Sequence, residues 1–137
     1  TMKRRAAWAR CRDMATRSRP RRRTALNDVM PRIRRFRDER DWLQFHNPKD
    51  MATAIAIEAG ELLESFLWKN GGELDQVVQV KREQLEDECA DIAVYLLELC
   101  DNLGIDLARA IKRKLAKNAA KYPVAKAKGS SRKYTEL

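Results

Sequence analysis

Two short stretches, Glu58-Ala-Gly-Glu61 and Glu88-Cys-Ala-Asp91, each place two carboxylates three residues apart. Both stretches lie in segments that favour helix, and residues at i and i+3 share one helix face. Two such helices packed face to face would bring four acids together. Because burying like charges is costly without a neutralising cation, the pattern predicts a metal site on a helix pair.

The apolar residues recur at helical spacing throughout, and no strand-like alternation is present, so we predict an all-α fold. We expect a helical bundle of about four helices, over residues 26–45, 48–69, 81–103 and 107–122. The third helix has an alternative start near residue 74. Asn47-Pro48 and Asp106 are predicted helix starts, and Gly104 is a predicted helix end. Residues 123–137 are predicted to form an extended tail.

In the second and third helices, the acids run in a line beside an apolar stripe that should face the core. The core stripes are Met51, Ile55, Ala59, Leu62 and Phe66 in one helix, and Leu85, Cys89, Ile92, Leu96, Leu99 and Leu103 in the other. The neighbouring lines are Ala54, Glu58, Glu61, Ser65 and Trp68, and Gln84, Glu88, Asp91, Tyr95 and Glu98. This arrangement predicts that the acids border the core.

The net charge of +9 is concentrated at one end of the chain. Residues 1–24 hold ten Lys/Arg and one acid, which leaves 19 basic and 19 acidic residues for 25–137. We therefore predict a basic flexible arm over 1–24 and a neutral domain over 25–137, which suits a metal site better than a nucleic-acid surface. The alternative is a non-catalytic helical oligomer that binds nucleic acid through this arm.

The cysteines and the hydropathy bear on location. The three cysteines have no metal-finger spacing, and their odd number favours reduced thiols in the cytoplasm. Cys89, on the core stripe, is expected to act as a small buried hydrophobe. No apolar run approaches the roughly 18 residues of a membrane span.

The four acids suit Mg²⁺, which prefers hard oxygen ligands and commonly keeps positions for waters and phosphates. We predict that Glu58, Glu61, Glu88 and Asp91 hold Mg²⁺, with Mn²⁺ as a substitute, and act on a nucleoside triphosphate through a metal-activated water. One alternative is that these are ordinary surface charges. A di-iron bundle would need Glu-x-x-His motifs, and the single histidine, His46, lies outside both acid pairs.

Other side chains suit the remaining parts of a nucleotide. A line of cationic and amide donors in the fourth helix could contact phosphates, or could form a solvated face. An apolar slot of aromatic residues could stack on a base, at roughly 1–3 kcal/mol per base, or could be core. His46 could contact the base or cap a helix. The phosphate candidates are Lys114, Asn118 and Lys121, and the aromatic candidates are Trp42, Phe45 and Trp68.

These motifs resemble those of the MazG-like all-α nucleotide pyrophosphohydrolases, in particular the dCTP pyrophosphatase branch. The resemblance rests on five segments in order, over residues 26–137: Phe36-Arg-Asp-Glu-Arg-Asp-Trp42-Leu-Gln-Phe-His46, Glu58 to Trp68, Glu88 to Tyr95, Lys114 to Pro123, and Gly129 to Leu137.

The resemblance implies hydrolysis of a nucleoside triphosphate, dCTP or a modified deoxynucleotide, to monophosphate and pyrophosphate, as house-cleaning of the nucleotide pool. It implies that the two acid pairs hold Mg²⁺ and that the chain forms a homodimer or a tetramer whose subunits complete the core and the site. The residues implied near the base are Trp42, His46 and Trp68, and those near sugar and phosphates are Tyr95, Lys114, Asn118 and Lys121.

Overall fold

The computed structural model describes residues 26–137, with side chains from residue 28 onward. The predicted basic arm, residues 1–24, therefore lies outside the described residues. The chain divides into two units, residues 1–32 and 33–137. Of the first unit, residues 26–32 are helical and begin α1 (Leu26–Asp38). The second unit contains the other helices and every contact discussed below.

The predicted all-α class is confirmed, since the described residues form helices and turns without a strand. There are six α-helices in this part of the chain rather than about four. Residues 73–80, predicted only as an alternative start of the third helix, form a helix of their own, and the tail that was predicted to be extended contains a short one. After α1 come α2 (Pro48–Glu64), α3 (Glu73–Val80), α4 (Arg82–Asn102), α5 (Leu107–Lys121) and α6 (Val124–Ala127), with 3₁₀ turns at Leu43–Phe45 and Tyr134–Glu136. None of the helices in the described part combines the length and the apolar character needed to cross a membrane.

Helix α1 ends at Asp38, seven residues before the predicted end. The amide of Trp42 donates to the carbonyl of Arg37 at 3.1 Å, and the amide of Asp41 donates to that of Asp38 at 3.1 Å. Asp41 takes a left-handed conformation, with φ at 52°. These bonds form the Schellman arrangement that ends a helix, with Asp41 at the position where glycine is usual.

The predicted starts of α2 and α5 and the predicted end of α4 are confirmed. The side chain of Asn47 accepts from the amide of Asp50, and that of Asp106 accepts from the amide of Arg109. Gly104 closes α4 in the left-handed conformation, with φ at 64°. Helix α2 ends at Glu64 rather than near residue 69, because bonds between residues three apart tighten the chain over Ser65–Trp68.

The tertiary contacts concentrate where α2 packs along α4, with α3 as a smaller addition to the same helix. Few apolar side chains of the described residues are fully enclosed: Ile33, Met51, Val77 and Cys100, of which Met51 is only 1% exposed. Glu98 is buried as deeply as they are, at 2% exposed. The helix pair therefore encloses charge as well as apolar surface.

The buried face of each helix lies between the two predicted lines, so each helix is turned slightly from its expected orientation. Glu58 and Glu88 are half-buried on these faces, whereas Ala59 and Cys89, which were predicted to be core, are exposed. Leu96 and Leu103 are also exposed, at 37% and 49%. The prediction that Cys89 is a buried hydrophobe is wrong, because the acid line shares the contact face and displaces the apolar line outward.

Candidate active site

Three of the four predicted metal ligands converge where α2 faces α4. One carboxylate oxygen each from Glu58, Glu88 and Asp91 lies within 4.8 Å of the other two. Glu58 comes from the middle of α2, and the other two come from one turn of α4. The convergence follows from the antiparallel packing of two helices that each carry acids three residues apart on one face.

The fourth predicted ligand, Glu61, is exposed and lies outside this group of three. The charge of Glu61 still affects the pKa values of the clustered acids. Burial raises the pKa of Glu58, and the charges of Glu61, Asp91 and Glu88 raise it further. Burial likewise raises the pKa of Glu88, followed by the charges of Glu61 and Asp91. The cluster is therefore a concentration of mutually repelling negative charge.

No Lys or Arg among residues 28–137 lies within ion-pair distance of these four acids. Residues 28–137 thus leave the repulsion between these acids uncompensated. The donor set is entirely hard carboxylate oxygen, the type that Mg²⁺ or Mn²⁺ prefers. On both counts the residues fit a divalent cation.

Tyr95 lies one turn after Asp91 on the same face of α4. Burial raises the pKa of its phenol, and the charges of Glu58, Asp91 and Glu98 raise it further. The phenol therefore stays protonated as a hydrogen-bond donor next to the acid cluster. This placement is compatible with its predicted role beside a sugar or a phosphate.

The predicted base-contacting residues are only partly brought together. The rings of Trp42 and His46 lie 6.4 Å apart, and the ring of Phe36 meets that of Trp42 edge to face at 5.7 Å. Trp68 is 85% exposed in a left-handed conformation with φ at 60°, and neither it nor Phe45 takes part in a ring contact within the described chain. The slot of Trp42, Phe45 and Trp68 is thus not formed by these residues of one chain.

The predicted phosphate line on α5 is present as a line of side chains. Lys114 and Lys121 are exposed, and Asn118 is half-buried. The ammonium of Lys121 lies 4.9 Å from the ring centre of Tyr134, which itself meets Tyr122 edge to face. The tail thus returns to α5, where the ring of Tyr134 makes a cation–π contact with Lys121, one of the residues predicted to bind phosphate.

One group of residues was missed by the sequence reasoning. Glu98 hydrogen-bonds through Oε1 to Nδ1 of His46 at 2.5 Å, and Nη1 of Arg37 lies 3.5 Å from the same oxygen. Glu98 was placed on the acid line with Glu88 and Asp91, which was the only available signal. Nothing in the spacing showed that His46 and Arg37 would meet it.

The chain is similar to known proteins over most of its length. A family model described as the MazG-like family matches residues 53–137. The chain is 40% identical over 114 residues to dCTP pyrophosphatase 1 of Homo sapiens, covering 82% of this chain and 67% of that protein. It is also 40% identical over 114 residues to dCTP pyrophosphatase 1 of Rattus norvegicus, with the same coverage.

A solved structure shares the fold. The crystal structure of a pyrophosphatase from Archaeoglobus fulgidus superposes with a TM-score of 0.69 at 38% identity, covering 77% of this chain and 99% of that one. The predicted enzyme class, a nucleoside triphosphate pyrophosphatase, is confirmed by these relatives. With a family model that matches most of the chain and relatives near 40% identity, the chain belongs to the MazG-like family.

Proposed function

We propose that this chain hydrolyses dCTP, or a modified deoxynucleoside triphosphate, to the monophosphate and pyrophosphate. The observation that carries the proposal is the convergence of Glu58, Glu88 and Asp91 within 4.8 Å, on two helices and without a cationic partner among the described residues. The dCTP pyrophosphatases at 40% identity support the choice of substrate. Such an enzyme would clear unwanted nucleotides from the cellular pool.

In this proposal Glu58, Glu88 and Asp91 hold Mg²⁺, with Mn²⁺ as a substitute, and Glu61 completes the acid set from the adjoining turn of α2. The chemistry that the ion supplies when bound is polarisation of phosphate oxygens and a lower pKa for water. The acids contribute by fixing the position of that positive charge, so that the triphosphate binds beside them on the helix pair.

The remaining residues bind and orient the substrate. Lys114, Asn118 and Lys121 offer cationic and amide donors to the phosphates, whose negative charge they offset. The phenol of Tyr95 donates a hydrogen bond beside the acid cluster. Trp42, His46 and Trp68 contact the base, and their rings exclude water from it.

We also propose that the enzyme is a homodimer or a tetramer. Trp68 is 85% exposed, and on α5 the apolar residues Ile111 and Leu115 are 50% and 61% exposed. Apolar side chains as exposed as these are typical of a surface covered by a partner. A second copy that covers them would also bring further residues towards Trp68.

The free thiols of Cys89 and Cys100 support a reducing, cytoplasmic location.

The test is pyrophosphate release from a panel of deoxynucleoside triphosphates, with Mg²⁺ and with a chelator. We expect dCTP to be among the best substrates and the chelator to stop the reaction. Glu61→Ala and Asp91→Ala should abolish release while the helical circular dichroism persists, because each removes a carboxylate from the site. Normal turnover in both variants would show that these acids do not hold the catalytic ion.

A further inference from the structure

Glu98 is the most deeply buried charged residue among those described, and its partners determine what it does. It is 2% exposed, and Oε1 lies 2.5 Å from Nδ1 of His46 and 3.5 Å from Nη1 of Arg37. Arg37 is itself only 7% exposed. A buried carboxylate is stable only with such partners, so Arg37 balances its charge and Nδ1 of His46 donates a hydrogen bond to it.

The same residues fasten the loop that leads from α1 to α2. The amide of Trp42 donates to the carbonyl of Arg37 at 3.1 Å. At the other end of the loop, Nδ2 of Asn102 donates to the carbonyl of His46 at 3.4 Å, and Asn102 accepts from Nη1 of Arg37 at 3.1 Å. The loop that carries Trp42 and His46 is therefore held at both ends by one polar network, of which Glu98 and Arg37 are the buried members.

The hydrogen bond to Glu98 determines which ring nitrogen of neutral His46 carries the proton. A carboxylate only accepts hydrogen bonds, so Nδ1 of His46 carries the proton in its bond to Glu98. In the neutral ring, Nε2 is then a hydrogen-bond acceptor. Nε2 has no hydrogen-bond partner among the described residues, and the ring lies beside that of Trp42. The neutral ring therefore offers an unpaired acceptor within the described residues, beside the ring of Trp42, which is also predicted to contact the base.

Pyrimidine bases differ in what they offer to such an acceptor. Cytosine carries an exocyclic amino group, which donates, whereas thymine carries a carbonyl oxygen at the equivalent position, which accepts. An amino group would complete the bond to Nε2. A carbonyl would place two acceptors opposite each other and leave both desolvated without a partner.

We propose that Glu98 is a positioning residue that fixes His46 as the Nδ1–H tautomer and thereby selects bases with an amino group over bases with a carbonyl at that position. This inference rests on the proposed function, since it takes the base to lie at His46 and Trp42. It adds the residue that sets the selectivity, on the helix that also carries Glu88 and Asp91.

The kinetic test compares dCTP with dTTP in Glu98→Leu, which keeps the bulk of the side chain and removes the acceptor. The ratio of kcat/KM for dCTP to that for dTTP should fall about tenfold, the size of one hydrogen bond, while Mg²⁺ affinity measured by calorimetry is unchanged. The matched control is Asp101→Asn, which weakens the Arg34–Asp101 ion pair on the next turn of α4 without touching His46. An unchanged ratio in Glu98→Leu, or an equal fall in the control, would overturn the proposal.

The spectroscopic test does not depend on turnover. Because the chain has one histidine, its imidazole nitrogen resonances are assigned without ambiguity. In the intact protein, the neutral form of His46 should carry its proton on Nδ1, and Glu98→Leu should shift that form towards protonation at Nε2. A wild-type ring protonated at Nε2 would refute the inference even if the variant does not fold. Absence of nucleotide hydrolysis in the wild type would instead refute the proposed function.

Discussion

Removing one charge from the acid cluster should stabilise the protein when no metal is present and should weaken its stabilisation by metal. The carboxylate of Glu58 has two like-charged neighbours within 4.8 Å. Two unit charges about 5 Å apart in water repel by about 0.8 kcal/mol, and salt reduces this further. We therefore expect Glu58→Gln to raise the free energy of unfolding by about 1 kcal/mol when no divalent cation is present.

Adding Mg²⁺ should reverse the order of the two proteins. A ligand at 100 times its dissociation constant stabilises the folded state by about 2.7 kcal/mol. Wild type should gain on this scale, whereas Glu58→Gln, which lacks one ligand oxygen, should gain much less. The assay is urea unfolding followed by circular dichroism, at one protein concentration, with chelator and with a series of Mg²⁺ concentrations.

The control for this cycle is Glu83→Gln, which removes an exposed acid from the first turn of α4, outside the cluster. Its stability should change by no more than about 0.5 kcal/mol, and its response to Mg²⁺ should match wild type. If Glu58→Gln is less stable than wild type in chelator, the acids do not repel as the structure implies. If wild type gains nothing from Mg²⁺, the cluster is not the metal site.

Three further predictions concern the fold and the exposed tryptophan. Met51→Ala, at the most enclosed apolar position of the α2–α4 pair, should cost about 2 to 5 kcal/mol in urea unfolding; a loss below 0.5 kcal/mol, roughly that of a surface change, would place Met51 outside the core. The hydrogen bond from Arg34 holds the pKa of Asp101 below its usual value, so this pair contributes stability above the unfolded pKa of about 3.9 and loses it as the pH falls through the lower, folded-state pKa. Arg34→Met should thus lower the urea midpoint at pH 7, and its difference from wild type should shrink below about pH 4; a difference independent of pH would contradict the ion pair. Trp68→Gly should raise the free energy of unfolding by about 1 kcal/mol, since it relieves a left-handed backbone, while KM for dCTP rises; a variant with lower stability and unchanged KM would argue for a packing role.

The features that local chemistry determines were predictable from the sequence. Helix starts at Asn47 and Asp106 follow from side chains that cap amides three residues on, and Gly104 follows from its freedom at positive φ. The acid cluster followed as well, because spacing within a helix is rigid. Its assembly needed only that α2 and α4 pack against each other.

The features that depend on packing were not predictable. Periodicity gives the direction of an apolar face only to within a fraction of a turn, so a slight rotation exposed Cys89 and drew Glu88 inward. Asp41 adopts a conformation that glycine usually takes, so the end of α1 carried no familiar signal. The Glu98–His46 bond joins residues 52 positions apart, and no local pattern encodes such a meeting.

Helix α4 fixes the distance between the two ends of the proposed substrate site. Asp91 and Glu98 are seven residues apart, so the rise of the helix sets them about 10 Å apart along its axis, whatever the surrounding loops do. This fixed spacing limits the changes in α4 that are compatible with the site. A substitution between the two residues leaves this spacing unchanged. One inserted residue would turn Glu98 by about 100° relative to Asp91 and carry it away from His46. The length of α4 between these residues is thus as much a part of the site as their side chains.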